Sequence, residues 1–238
     1  MNIAIITAMP EESRAVLKRA GQVEKSIFGG RSAFRCRIAG HDITLVEAGM
    51  GMLNAGWAAT ALAAEAPDLL VSAGFGGGVL PGLKVGDTVT AERLLHWTGR
   101  DFEEVETGFC AVDDASAMLR GCFITSDGIL DKRQVAESLP SGVNRPVVEM
   151  ESAAVARVAA GCGIPFLGVR AVSDPWNEEL GFSINEFCDE GMRIRPLKVL
   201  ATILRRPGII PQLIRLARNS RIAAKRLGAA IERLFQGL

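Results

Sequence analysis

A chain of 238 residues, 48% of them apolar, is long enough to enclose one large α/β core or at most two small ones. Five cysteines stand far apart with no CxxC pair and only two histidines accompany them, so neither a zinc centre nor a disulfide framework is expected, and a reducing cytoplasm is the default compartment. The net charge of zero hides an asymmetry: from residue 193 onward eleven basic residues face the single acid Glu232, which makes the tail about +10 and the first 192 residues about −10.

The opening "MNIAIITAMPEE" enters an apolar strand at once, without a basic leader, and no run of eighteen apolar residues follows, so neither secretion nor a membrane span is expected. Short β-rich runs then alternate with helical patterns. The patterning predicts strands at 2–7, 43–48, 68–73, 87–95, 121–126, 146–150 and 165–172, and helices at 10–20, 52–66, 131–139 and 152–161. The first helix has Pro10 and acids at its start and Gly21 past its end. Residues 96–118 have no period and are predicted to be loop with a helical turn. Such alternation predicts a mixed or mostly parallel sheet with helices on both faces, and a ligand beyond the C-terminal strand ends.

Six strand ends are therefore candidates for one site: "TAMPEE" (7–12), "EAGMG" (47–51), "SAGFGGG" (72–78), "SDGIL" (126–130), "VEMES" (148–152) and "RAVSD" (170–174). The glycines do not spell a dinucleotide fingerprint, since "GMGMLN" lacks the third glycine and "GFGGGV" ends in valine, and no GxxxxGK[ST] is present. Glu149 and Glu151 flank Met150 at the end of an apolar strand, where a buried carboxylate needs a partner, a ligand or solvent. Arg170, at a strand end, is one such partner for Glu149.

In order and spacing, "IAIITAMPEE", "AGMGMLNAG", "PGLKVGD", "VEMESAAVA" and "VRAVSDPWNEE" resemble the nucleoside phosphorylase and nucleosidase superfamily, and most of all its methylthioadenosine/S-adenosylhomocysteine nucleosidase branch, from residue 1 to about 190. The resemblance implies an α/β three-layer fold, a mixed and partly barrel-like sheet wrapped by helices, in a homo-oligomer. It implies N-glycosidic cleavage without a cofactor, with phosphate as co-substrate if the reaction is phosphorolysis. It assigns Glu12 to activating the attacking water, Arg170 to a place beside that water or phosphate instead of beside Glu149, Met150 and Glu151 to the ribose hydroxyls, and Asp174 to protonating N7 of the purine. Chemistry supports that division, because adenine leaves poorly as an anion and positive charge builds on the ribose. Asp174 follows the apolar run "PFLGV", where desolvation raises a carboxyl pKa, and Ser173 can orient it. The same carry-over places Met9 and Met50 at the ligand, Ile129 and Leu130 at the adenine edge, Ile184 over the base, and Phe75 and Gly76 in the glycine-rich loop of the substrate site. Phe75 departs from the family, which has serine there, and Ser72 replaces the phosphate-binding arginine of many phosphorylases, which favours hydrolysis over phosphorolysis.

The tail reads as a separate unit, 193–238, on a catalytic unit of 1–192. Beyond Pro207, a helical wheel puts Leu213, Leu216, Ala217, Ala223, Ala224, Leu227, Ala230, Ile231, Leu234 and Phe235 on one face. Arg215, Arg218, Arg221, Lys225, Arg226 and Arg233 fall on the other, with Ile214 and Ile222 as exceptions. Two readings stand: packing on the body, or residues 208–238 lying on an anionic membrane at its inner face. With this tail the chain resembles the hopanoid biosynthesis associated phosphorylases, which implies adenine release from lipid-linked adenosylhopane. The alternatives are a soluble methylthioadenosine/S-adenosylhomocysteine nucleosidase or purine nucleoside phosphorylase, and a non-catalytic nucleoside-binding protein. Nucleic acid is not an expected partner, because no aromatic residue interleaves the basic face.

Overall fold

The structure, a computed structural model, describes residues 1–111, 118–128, 130–178, 202 and 205–238. Its centre is β1 (Asn2–Thr7), β4 (His41–Glu47), β5 (Leu69–Gly78) and β10 (Phe166–Asp174), all mutually parallel where they pair. Branched and aliphatic residues run along each of them with few polar interruptions, as strands covered on both faces require. From β5 the sheet closes on itself through β10, β6 (Thr88–Trp97), β8 (Leu119–Ser126) and β9 (Val147–Glu149), giving a five-stranded barrel. β9 runs antiparallel to β5, with Val148 opposite Gly77.

The other side of the sheet ends in a hairpin, β2 (Gly21–Phe28) and β3 (Arg31–Ile38), that was not expected from the pattern. β2 is the sheet edge and almost wholly exposed, so charged residues replace the apolar alternation that marks a half-buried strand. The usable signal was Gly29-Gly30, both at positive φ, as a two-residue hairpin turn demands. Within 96–118, expected to be loop with a helical turn, residues Phe102–Glu104 instead form β7 against β6.

Helices α1 (Pro10–Leu17), α2 (Met52–Ala63), α3 (Lys132–Ser138) and α4 (Ser152–Cys162) start or end within a few residues of expectation. α4 stops because Gly163 takes the left-handed conformation that closes its last turn. α2 and α4 cover one face, where Ala55, Ala59, Leu62, Val155 and Ala159 join the core. α1 and the last helix, α5 (Ile210–Gln236), cover the other. Ala223, Leu227, Ala230, Ile231, Leu234 and Phe235 of α5 are buried against Ile3, Val71 and Val169, so the C-terminal half of the basic tail is core. Its N-terminal half differs: Leu213 and Leu216 are half-buried, Ala217 is exposed, and Ile214 and Ile222 are 65% and 38% exposed among the arginines. No helix among the described residues is long and apolar enough to cross a membrane.

Candidate functional site

Three strand ends deliver the first acids. Glu12 lies in the first turn of α1, just past β1, and is 2% exposed. Its Oε2 accepts the backbone N–H groups of Ala8 and Met9 at 2.9 Å, and its Oε1 accepts that of Phe75 at 2.8 Å. Phe75 thus meets the site through its backbone, and the strand allows this because Gly74 has no Cβ, which would stand 2.7 Å from Glu12 Oε1. Burial raises the Glu12 pKa; the three backbone donors and the Arg170 charge only partly offset it.

The acid pair at the β9–α4 junction divides its labour. Glu149 is buried, and its Oε2 accepts the N–H groups of Glu151 (3.0 Å) and Ser152 (2.8 Å), so it caps α4. It also takes short hydrogen bonds from Arg170 and from the Thr125 hydroxyl. Burial alone would raise its pKa, but Arg170, Thr125 and the two backbone donors hold the carboxyl below the usual range. Glu151 accepts from the N–H groups of Gly51 (2.9 Å) and Met150 (3.2 Å), and lies 3.6 Å from Arg170. Burial, then the Glu149 and Glu12 charges, push it up to about 7 against the pull of Arg170 and Gly51. Within this pair the two carboxyls are driven apart, Glu149 held down and Glu151 pushed up.

Arg170, 1% exposed, is the hub. Besides Glu149, it donates to Ser72 O (3.0 Å), Ser72 Oγ (2.9 Å), Val169 O (3.0 Å) and Ser152 Oγ (3.0 Å). Of the two sequence readings, pairing with Glu149 is the one observed. Ser72 is turned into this network too. Both terminal nitrogens of Arg170 therefore have protein partners, and Nε is buried with none among the described residues.

Asp174 ends β10 opposite Gly77. Ser173 donates to its Oδ1 at 2.7 Å, as expected. The dry setting expected from "PFLGV" is replaced by an ion pair, because Lys132, the first residue of α3, reaches back to Oδ2. Its Nζ also donates to the carbonyls of Asp174 (3.3 Å) and Pro175 (3.0 Å). A Cβ on Gly77 would be 2.6 Å from Asp174 Oδ2, so this glycine too makes room for a site carboxylate. Gly76 makes room for Val147 at 2.4 Å. The glycine-rich stretch is thus the second half of a strand whose missing side chains admit Glu12, Val147 and Asp174. Gly74 and Gly77 are three residues apart, about 10 Å along a strand.

Met9, Met50 and Met150 are partly exposed beside Glu12, Gly51 and Glu151, and Leu130 is partly buried before α3. Ile129 and Ile184 lie outside the described residues. Sequence reasoning missed Lys132, Thr125 and Ser152. Lys132 left one signal, a cation in the first turn of a helix, where the macrodipole disfavours it. Among the described residues no cluster of His, Cys, Asp and Glu is placed to hold a metal ion.

Comparison with known proteins matches the family model described as the phosphorylase superfamily over residues 2–205. A 5′-methylthioadenosine/S-adenosylhomocysteine nucleosidase of Listeria innocua is 30% identical over 219 residues, covering 79% of this chain and 92% of its own. One from Bacillus cereus is 30% identical over 214 residues, covering 80% and 93%. Among solved structures, the nucleosidase of Colwellia psychrerythraea in complex with adenine superposes with a TM-score of 0.73 at 19% identity, covering 100% of this chain and 96% of that one. Futalosine hydrolase of Helicobacter pylori gives 0.72 at 16%, covering 100% and 98%. At these identities the structural likeness speaks to the fold.

Proposed function

We propose, for a chain that belongs to the phosphorylase superfamily and is an enzyme of the N-glycosidase or nucleoside phosphorylase kind, that it releases adenine from an adenosyl compound by cleaving the N-glycosidic bond. The observation that carries this reading is the Glu12–Glu151 cluster around Arg170, with Asp174 set against the same strand, β5, three residues further on. Glu12 leans on Gly74, Asp174 on Gly77, and Glu151 joins Glu12 through their shared neighbour Arg170.

In this reading Glu12 is the base. Its raised pKa brings its basicity closer to neutral pH, as removal of a proton from an attacking water requires. Glu151, with Met150 beside it, accepts the ribose hydroxyls and, when ionised, offsets the positive charge that develops on the sugar. Asp174, oriented by Ser173, gives the departing base its proton. Met9, Met50, Phe75, Gly76 and Leu130 complete the substrate pocket. Arg170 acts from behind, holding Glu149 ionised so that the α4 N-terminus and Glu151 keep their places. Because its terminal nitrogens are engaged, hydrolysis is favoured over phosphorolysis.

For the substrate we favour a lipid-linked adenosyl compound of the adenosylhopane kind, with residues 1–192 carrying the site and 193–238 a basic extension whose C-terminal half completes the core. Support comes from the outer face of α5, where Ile214, 65% exposed, stands among Arg215, Arg218 and Arg221, the mixture that suits an anionic bilayer surface, while Ile222 and Arg226 pack against Gly86 at its edge. A soluble nucleoside is the second reading, favoured by the names of the relatives above. Adenine release from adenosylhopane in vesicles and from methylthioadenosine, each with and without phosphate, separates them. We expect faster release from the lipid, without need of phosphate; turnover confined to methylthioadenosine would refute the lipid reading.

A further inference from the structure

We propose that Lys132 and Asp174 act as one proton-donating pair, with Lys132 the positioning residue that holds the Asp174 carboxylate and supplies the proton Asp174 relays. The inference rests on the reading of the site as one that expels a purine base. Three observations carry it. Both oxygens of Asp174 are engaged, Oδ1 by Ser173 and Oδ2 by Lys132, so the carboxylate is fixed in direction. Lys132 points all its donors at one spot, the side chain and carbonyl of Asp174 and the carbonyl of Pro175, while its side chain is only 11% exposed. The sheet is carved to admit the pair, since a Cβ on Gly77 would stand 2.9 Å from Lys132 Cε and 3.0 Å from its Nζ.

A lysine in the first turn of a helix opposes the macrodipole, so its place there calls for a compensating partner, and the pair with Asp174 supplies it. An ammonium against a carboxylate is also an arrangement with one transferable proton. In the cleavage step the bond from C1′ to the base breaks and its electron pair leaves with the base. One proton moves from the Lys132 ammonium through Asp174 Oδ2 to the base nitrogen, leaving a neutral amine beside the carboxylate. The attacking water forms the new bond to C1′ and yields its proton to Glu12, from which solvent returns one proton to Lys132, so the cycle closes with no net gain or loss. The charged groups on the elements packed around the pair are Arg133 and Glu137 on α3, Asp127 and Asp131 before it, Glu149 on β9, Arg170 on β10 and Glu178 after it. Glu149 is taken by Arg170, Glu178 by Arg215 and Asn219, and Asp131 accepts the N–H of Arg133. β5 brings no charge to the pair.

The test uses the full chain, with kcat and KM for adenine release measured from pH 5 to pH 10 in wild type, Lys132→Met and Lys132→Arg. Lys132→Met should lower kcat at pH 8 by about 100-fold, leave KM within a few-fold, and move the alkaline limb of kcat by more than one unit toward acid, because Asp174 must then carry the proton alone. Lys132→Arg keeps the ion pair but releases no proton in this range, so it should be nearly as slow at pH 8. Profiles that keep the wild-type shape, or full rescue by arginine, would overturn the pairing and leave Lys132 an anchor. Failure of the underlying reading looks different, as wild type itself would then release no adenine.

Discussion

Glu151 lies 3.6 Å from the Arg170 guanidinium and is still pushed up to about 7, because burial and the charges of Glu149 and Glu12 outweigh that attraction. The sign of its effect on activity follows. Below pH 7 Glu151 gains a proton and loses both its negative charge and part of its capacity to accept ribose hydroxyls; above pH 7 it is ionised. Glu12, also raised, changes in the same sense. kcat/KM should therefore fall by about tenfold per unit as pH drops below 7 and Glu151 takes its proton, and Glu151→Gln should remove about 100-fold or more at pH 8. A flat profile between pH 5 and pH 8 would contradict the assignment. The acids themselves were legible in the sequence, since carboxylates at the ends of apolar strands call for an explanation. Their order of protonation was not. It depends on Thr125, Ser152 and Arg170 converging on Glu149 from three separate elements.

Strands and helices position these side chains through a few close approaches. The sequence pattern ends β5 at residue 73, because glycine counts against a strand. It continues to Gly78, and its glycines are where Glu12, Val147 and Asp174 press against the sheet. Periodicity identified the buried strands and the four helices of the body, but it had no purchase on the exposed edge strand β2 or on the three-residue β7. The approach of α1 to α5 was equally hidden. A Cβ on Gly228 would stand 2.3 Å from the Ala15 carbonyl oxygen, and backbone cannot rotate away as a side chain can. Gly228→Ala should therefore force the helices apart at a cost of about 1–3 kcal/mol, read by urea unfolding. Since α1 carries Glu12, kcat should fall as well. An unchanged unfolding midpoint would show that the two helices do not meet closely at Gly228.

Across the whole molecule, the charge asymmetry seen in the sequence is real but does not divide at the body surface. The last three turns of α5 belong to the core, and each of Leu227, Ile231, Leu234 and Phe235 contributes about 1.5–3 kcal/mol by burial. Deleting residues 208–238 would expose apolar sheet and unfold the body, so the membrane proposal needs a gentler change. Replacing Arg215, Arg218, Arg221 and Arg226 with glutamine leaves every buried α5 residue in place; Arg215 gives up its hydrogen bond to Glu178. Co-sedimentation with vesicles containing anionic lipid should drop at least tenfold in that variant, while turnover of a soluble nucleoside stays close to wild type. Binding that survives the loss of four charges would remove the basis of the lipid reading. The central claim, that acids from separate elements act on one glycosidic bond, is tested most directly by following adenine release from methylthioadenosine in wild type, Glu12→Gln and Asp174→Asn. Measurable release by wild type and loss of at least about 100-fold in each variant, with adenine still bound, is the predicted result; wild-type rates in either variant would contradict it.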